Sequence, residues 1–128
     1  MRYFTVEEAE ALIPELERIF AAIAGLIAQA ELKAAALRRR RGDSDPAAAV
    51  IEHSQVQFLA QGINDWLRKI ADLGALPKGA DPALVDFPHR LDGREVYLCW
   101  RLGEKRVTHY HSLDGGFSGR KALPRRKS

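Results

Sequence analysis

Two long apolar stripes near the start of the chain restrict its fold more than any other feature. Leu16, Ile19, Ile23, Leu26 and Ala30 recur at three- and four-residue spacing, which places them on one face of a helix. Ile13, Phe20, Ile27 and Ala34 make a second stripe beside it at seven-residue intervals, so the apolar face is wide enough to meet more than one neighbour. Val56, Leu59, Ile63, Trp66, Ile70 and Leu73 repeat the rhythm further on. Each segment runs for about 28 residues, or roughly 42 Å at about 1.5 Å per residue. A compact sphere of this chain length is only about 36 Å across. The pattern predicts an elongated antiparallel helical hairpin over residues 6–41 and 46–73. Two helices alone leave part of both stripes bare, so a homodimer closing a four-helix bundle is expected.

The ends of these helices are written in local chemistry. Thr5 and Glu8 form a capping box ahead of Ala9. Pro14 lacks an N–H and would clash with the carbonyl of Glu10. A short turn over 6–12, followed by a kink or a restart at Pro14, is therefore expected. Arg41-Gly42-Asp43-Ser44-Asp45-Pro46 breaks the pattern, with Asp45 as cap and Pro46 at the first helical position. Gly74 closes the second helix in a left-handed conformation. Residues 75–93 read as loop, since Pro77, Pro82 and Pro88 interrupt regular structure, with a short strand at 84–87. Residues 94–102 and 105–112 read as a β-hairpin turning at Gly103-Glu104. The fold class is α+β: a helical hairpin followed by a small antiparallel β unit over 84–112. Residues 1–123 form a single domain, and 124–128 a flexible basic tail.

Composition narrows the function classes. The single Cys99 cannot make an internal disulfide, and no early apolar run carries the flanks of a secretory signal, so a cytoplasmic location is expected. The apolar run 19–30 is too short to span a bilayer, and no membrane partner is expected. The net charge of +3 comes from Arg38 to Arg41, which offset a helix dipole, and from Arg125, Arg126 and Lys127 in the tail. That placement makes nucleic acid an unlikely partner, the Arg38 to Arg41 end being the only footprint for it.

Chemistry concentrates between Leu84 and Arg120, which hold three of the four histidines, the cysteine and one of two tryptophans. The hairpin register decides where it faces. A two-residue turn at Gly103-Glu104 pairs Trp100 with Val107, Leu98 with His109 and Val96 with His111, all on the core face. It also sets Arg101 against Arg106, which requires a negative group between them. A three-residue turn instead sets Cys99 against His109 and Tyr97 against His111, and only this register brings the thiol to the histidines. The two-residue turn is favoured. His109-x-His111 is a spacing that metals use, with Asp114 or Cys99 as a conceivable third ligand. Asp114-Gly115-Gly116-Phe117-Ser118-Gly119-Arg120 could turn backbone N–H groups toward an anion, but it lacks a P-loop lysine. The broader candidate ligand-binding cluster is Asp86, Arg101, Glu104, His111, Asp114 and Arg120, placed on strand ends and tight loops. The same groups read first as an ion-pair network pinning the sheet to the helices, with a ligand-binding or catalytic cluster as the alternative.

Tyr3-Phe4-Thr5-Val6-Glu7-Glu8-Ala9 and Leu12-Ile13-Pro14-Glu15-Leu16 resemble the opening of domain-of-unknown-function family 2203. Val85-Asp86-Phe87-Pro88 and the long run from Leu91-Asp92-Gly93-Arg94 to Leu102-Gly103-Glu104 extend the resemblance, as do His111, Leu113-Asp114-Gly115-Gly116-Phe117 and Gly119-Arg120. Where the family usually shows Trp-His-Glu, this chain has Tyr110-His111-Ser112, so His111 matches and the neighbouring carboxylate does not. The resemblance implies an architecture and site positions but no reaction. Three functions follow as expectations. The first is an oligomeric interaction or structural module. The second is a small-molecule or anion-binding protein, or an enzyme, with His111 as acid or base and Arg101 and Arg120 as anion clamps. The third is a weak nucleic-acid binder. No cofactor is expected; the metal alternative rests on His109, His111 and Asp114.

Overall fold

The structure is a computed structural model, and it describes residues 2–39, 45–80 and 82–124. Helix α1 (Val6–Ala11) starts at the expected capping box: Thr5 Oγ1 accepts from Glu8 N–H, and Glu8 accepts from Thr5 N–H. The chain breaks at Leu12 and restarts as α2 (Ile13–Arg39), so Pro14 falls in the first turn, where its missing N–H costs nothing. Helix α3 (Pro46–Asp72) begins with the Asp45 carboxylate accepting from Ala47 and Ala48, and Gly74 follows it at φ +94°. Helices α2 and α3 pack along each other as the hairpin, with Gly62 of α3 close to Leu26 of α2. The intervening turn at 40–44, with two of the four clustered arginines, and the tail 125–128 lie outside the described residues.

The β unit is larger than the sequence suggested. Five antiparallel strands follow one another in chain order: β1 (Leu76–Ala80), β2 (Ala83–Leu91), β3 (Arg94–Arg101), β4 (His109–His111) and β5 (Lys121–Ala122). Residues 75–93 are therefore mostly strand, and the expected loop is corrected. The prolines are tolerated because of where they sit. Pro88 lies in β2 beyond the last residue paired with β1, and its carbonyl accepts from Phe4 N–H at 2.7 Å. In a strand the N–H and C=O of one residue point the same way, so the Pro88 nitrogen also faces away from β3 and no ladder bond is lost. Asp92 (φ 52°) and Gly93 (φ 78°) form the tight β2–β3 turn, a two-residue link with both central residues left-handed, matched to the twist of the strands.

The helices cover one face of this sheet. Val85 and Phe87 of β2, and Leu98 and Trp100 of β3, are fully buried against Phe4, Leu16, Ile19, Phe20, Ile23 and Ile70. Phe87 meets Phe4 edge-on at 5.1 Å, and Trp100 lies 6.2 Å from Phe20. Helix α2 contains an 18-residue window of mean hydropathy 1.5, long and apolar enough to cross a membrane by length and composition, further than the run 19–30 suggested. Its N-terminal part is nonetheless core of this fold.

Candidate functional site

The register of β3 on β4 is the second of the two alternatives, and it turns the chemistry over. Tyr97 stands opposite His111, Leu98 opposite Tyr110 and Cys99 opposite His109. A one-residue slip moves every side chain of a strand to the other face. His109 and His111 therefore join Tyr97 and Cys99 on the outer face, away from the helices, while Tyr110 packs against the core. The favoured two-residue turn is corrected, and the cause is Glu104. Its backbone carbonyl accepts the Trp100 indole N–H at 2.9 Å, and its carboxylate accepts Arg101 N–H at 2.7 Å, so the chain between β3 and β4 is a wider loop. Glu10 of α1 receives Val107 N–H at 2.9 Å and pairs with Arg106 at 3.5 Å, holding that loop to the helices. Arg101 faces Leu84 across β2 instead of Arg106, and the expected like-charge clash does not arise.

On the outer face, Asp86 of β2 lies directly across from Cys99 of β3. Asp86 Oδ2 is 3.0 Å from His111 Nε2, and both side chains are 4% exposed or less. His111 Nδ1 is 2.7 Å from the Ser112 carbonyl. A carbonyl only accepts, so Nδ1 carries a proton and Nε2 is the nitrogen that meets Asp86. The Cys99 thiol also hydrogen-bonds Asp86, and burial pushes it up from the ordinary 9.0 to about 11, with Arg120 pulling the other way. At neutral pH it stays a thiol, which removes it as a nucleophile.

These three residues form the floor of a cavity of about 350 Å³. Leu84 and Tyr97 continue the floor, and the 112–119 segment supplies Leu113, Asp114, Gly116 and Phe117 at its rim. Lys78 lines it too. It sits at an irregularity where the β1 register shifts between Pro77 and Gly79, and such bulges re-aim side chains. The rim segment is tightly folded: Ser112 Oγ donates to Asp114, and a side chain on Gly115 would come within 2.8 Å of that oxygen.

The six candidate residues therefore separate into two groups. Asp86, His111 and Asp114 line the cavity, Asp114 at its exposed rim. Arg120, Glu104 and Arg101 make a brace beside it: Arg120 donates to Glu104 and to the Cys99 carbonyl, both at 3.2 Å, and lies 4.6 Å over the Phe117 ring. Arg101 is 5.9 Å from the same ring and lines a different groove with Glu31 and Leu102. Of the suggested metal trio, His109 is turned to Thr108 Oγ1 at 2.9 Å. Among the described residues, the donor atoms that gather within 4.8 Å of one another are those of Asp86, Cys99 and His111. From sequence Cys99 is only a conceivable ligand, Phe117 only part of the Gly-rich loop and Tyr97 only a strand partner of His111; Lys78 and Leu84 are missed. The alternation Leu84, Asp86 against Tyr97, Cys99 was the signal that could have found most of them.

Residues 2–123 match the model of a family described as an uncharacterized conserved protein (DUF2203). No curated protein and no solved structure matches the chain.

Proposed function

We propose that this chain, which belongs to the DUF2203 family, is a small-ligand-binding protein whose site is the outer-face cavity of the sheet. The observation that carries this reading is the Asp86–His111 pair, buried to 4% exposure or less yet placed on a cavity floor instead of within the core. Desolvating such a pair costs several kcal/mol, and a hydrophobic pair would brace a sheet at least as well. The helix-facing core is already continuous without it. A pair that can hand a proton to a guest at Nε2, with Nδ1 fixed by Ser112, suits recognition or acid–base work.

The lining also bears on ligand type. Asp86 is paired with His111, which leaves Asp114 against Lys78, and Arg120 is engaged by Glu104, so a neutral guest fits better than an anion. The test is nitrogen–proton correlation NMR of the metal-free protein against a mixed library of small amines, carboxylates and neutral heterocycles. Shifts should cluster on Asp86, Tyr97, Cys99, His111 and Phe117 and vanish in Leu84→Trp, which fills the cavity. Hits scattered elsewhere, or unaffected by that substitution, would sink the reading.

A second observation favours self-association through the far end of the helical hairpin. Phe58 is 79% exposed, and it shares a groove of about 530 Å³ with Val50, Ile51, Gln29 and Lys33. A second copy bringing the same face would cover these apolar groups and complete the expected four-helix bundle. Sedimentation velocity should show a dimer that Phe58→Asp converts to monomer; a parent that sediments as monomer at high concentration rules this out.

A further inference from the structure

We infer that Asp86, Cys99 and His111 form a three-ligand site for a divalent transition-metal ion of zinc's class, with its remaining coordination position open to the cavity. The inference rests on the cavity being a binding site and names one guest for it.

Four observations converge on it. First, the three side chains come from three consecutive strands and present a carboxylate oxygen, a thiol sulfur and an imidazole nitrogen within 4.8 Å of one another, all buried. Tetrahedral zinc, with bonds of about 2.0–2.3 Å, sets its donors roughly 3.3–3.8 Å apart, which lies inside that span. The 3.0 Å contact between His111 Nε2 and Asp86 Oδ2 has only to open slightly. Second, His111 already holds the orientation of a metal-ligating histidine: Nδ1–H donates to the Ser112 carbonyl, leaving Nε2 for the ion. Ser112 O also accepts Gly115 N–H at 3.0 Å, so the carbonyl is itself held in place.

Third, the donor set is selective. Calcium and magnesium take oxygen ligands, whereas a mixed sulfur, nitrogen and oxygen set suits zinc, cobalt or ferrous iron. Fourth, the charges balance. The ion displaces the Cys99 proton, which leaves to solvent, and the proton shared by Asp86 and His111, giving thiolate, carboxylate and neutral imidazole around a 2+ centre. A buried site of zero net charge avoids the cost of an uncompensated ion. The cavity side of the cluster supplies the entry path and room for water or a guest as fourth ligand.

The trio is distinct from the His109, His111 and Asp114 set read from sequence, and the two can be told apart. Tag-free, metal-stripped full-length protein is titrated with cobalt(II), a spectroscopic stand-in for zinc. Saturation near one equivalent with a thiolate-to-cobalt charge-transfer band is expected, and because the chain has one cysteine the band identifies Cys99 without any variant. The ring protons of His111 should take the large contact shifts of a bonded ligand, which those of His53, His89 and His109 should not show. Zinc should abolish the band, and Asp86→Asn should weaken cobalt binding by at least about tenfold.

Cobalt uptake without the band, shifts centred on His109, or no uptake at a large excess would each overturn the inference. The fragment experiment on metal-free protein is read separately. If fragments still map to the cavity while cobalt fails, the metal inference falls and the pocket stands; if cobalt binds as described and no fragment does, the pocket's only guest is the metal.

Discussion

Near the sheet, α2 buries Ile13, Leu16, Ile19, Phe20 and Ile23 almost completely, whereas further along the same helix Leu32 is 71% exposed. Helix α3 shows the same contrast in reverse: Ile70 at its C-terminal end is fully buried, while Val50, Ile51 and Phe58 stand in solvent. Leu32, Val50, Ile51 and Phe58 lie off the apolar stripes, but the stripes themselves thin along α2, from buried near the sheet to half-buried at Leu26, Ile27, Ala30 and Ala34. What separates the two regions is a third layer. The sheet gives the proximal half something to pack on, and the distal half has only its partner helix. An amphipathic stripe records which face needs cover; it does not record what supplies it.

That contrast can be broken by substitution. The largest effect belongs to the proximal half. Trp100→Ala should lower the unfolding free energy by about 3–5 kcal/mol, as removal of a buried aromatic leaves a cavity. Phe58→Ala, an aromatic truncated at the distal end, should change the unfolding of the monomer by less than about 0.5 kcal/mol. Chemical denaturation of both variants checks the pair, and a large loss at Phe58 that shrinks on dilution would mark a second copy covering it.

The outer face of the sheet should fall next. Asp86→Ala leaves His111 buried without its partner and should cost about 3–5 kcal/mol at the upper end. Asp86→Asn keeps a hydrogen-bonding group and removes only the charge, so it should cost less, and its melting temperature against the parent reports the charge of the pair. If Asp86→Asn melts with the parent, the carboxylate's charge contributes nothing.

Cys99 should give a smaller, pH-specific effect. Its folded value lies above the unfolded one, so the stabilisation it carries is complete below pH 9.0 and is lost as pH rises toward about 11. Thermal melts across that window should decline in the parent and decline less in Cys99→Ser. At the helix start the change is modest: Thr5→Ala removes the cap on α1 and should cost about 1 kcal/mol, read by denaturant titration.

The helical half of this molecule was legible because its signals are local. Thr5 with Glu8, Asp45 with Pro46, and Gly74 each act within one turn, and each appears where the sequence placed it. The sheet was harder for a physical reason. Pro77, Pro82 and Pro88 were read as breakers, and whether a proline breaks a strand depends on which neighbour its missing N–H would have faced. Pro88 is harmless because its nitrogen faces away from β3 and lies beyond the reach of β1, on the side where its carbonyl meets Phe4, far away in the chain. Asp92-Gly93 was a hairpin turn in plain view, but the loop reading of 75–93 hid it. The register failed for a similar reason: Gly103-Glu104 satisfies a two-residue turn locally, and Glu10 and the Trp100 indole outvote it. The site followed the register: the favoured turn sets His111 on the core face, whereas the structure sets Asp86, Cys99 and His111 together on the outer one.

The strand order has a kinetic consequence. Each strand pairs with the next one along the chain, so forming the meander closes only short loops and little chain entropy is spent at each step. Asp86, Cys99 and His111 ride on three successive strands and are gathered by these short-range steps. Docking of the amino-terminal segment is the opposite case, since the contact of His89 with Phe4 joins residues 85 apart. The cavity floor can therefore take shape early, while the seam that seals β2 waits for the far end of the chain to arrive.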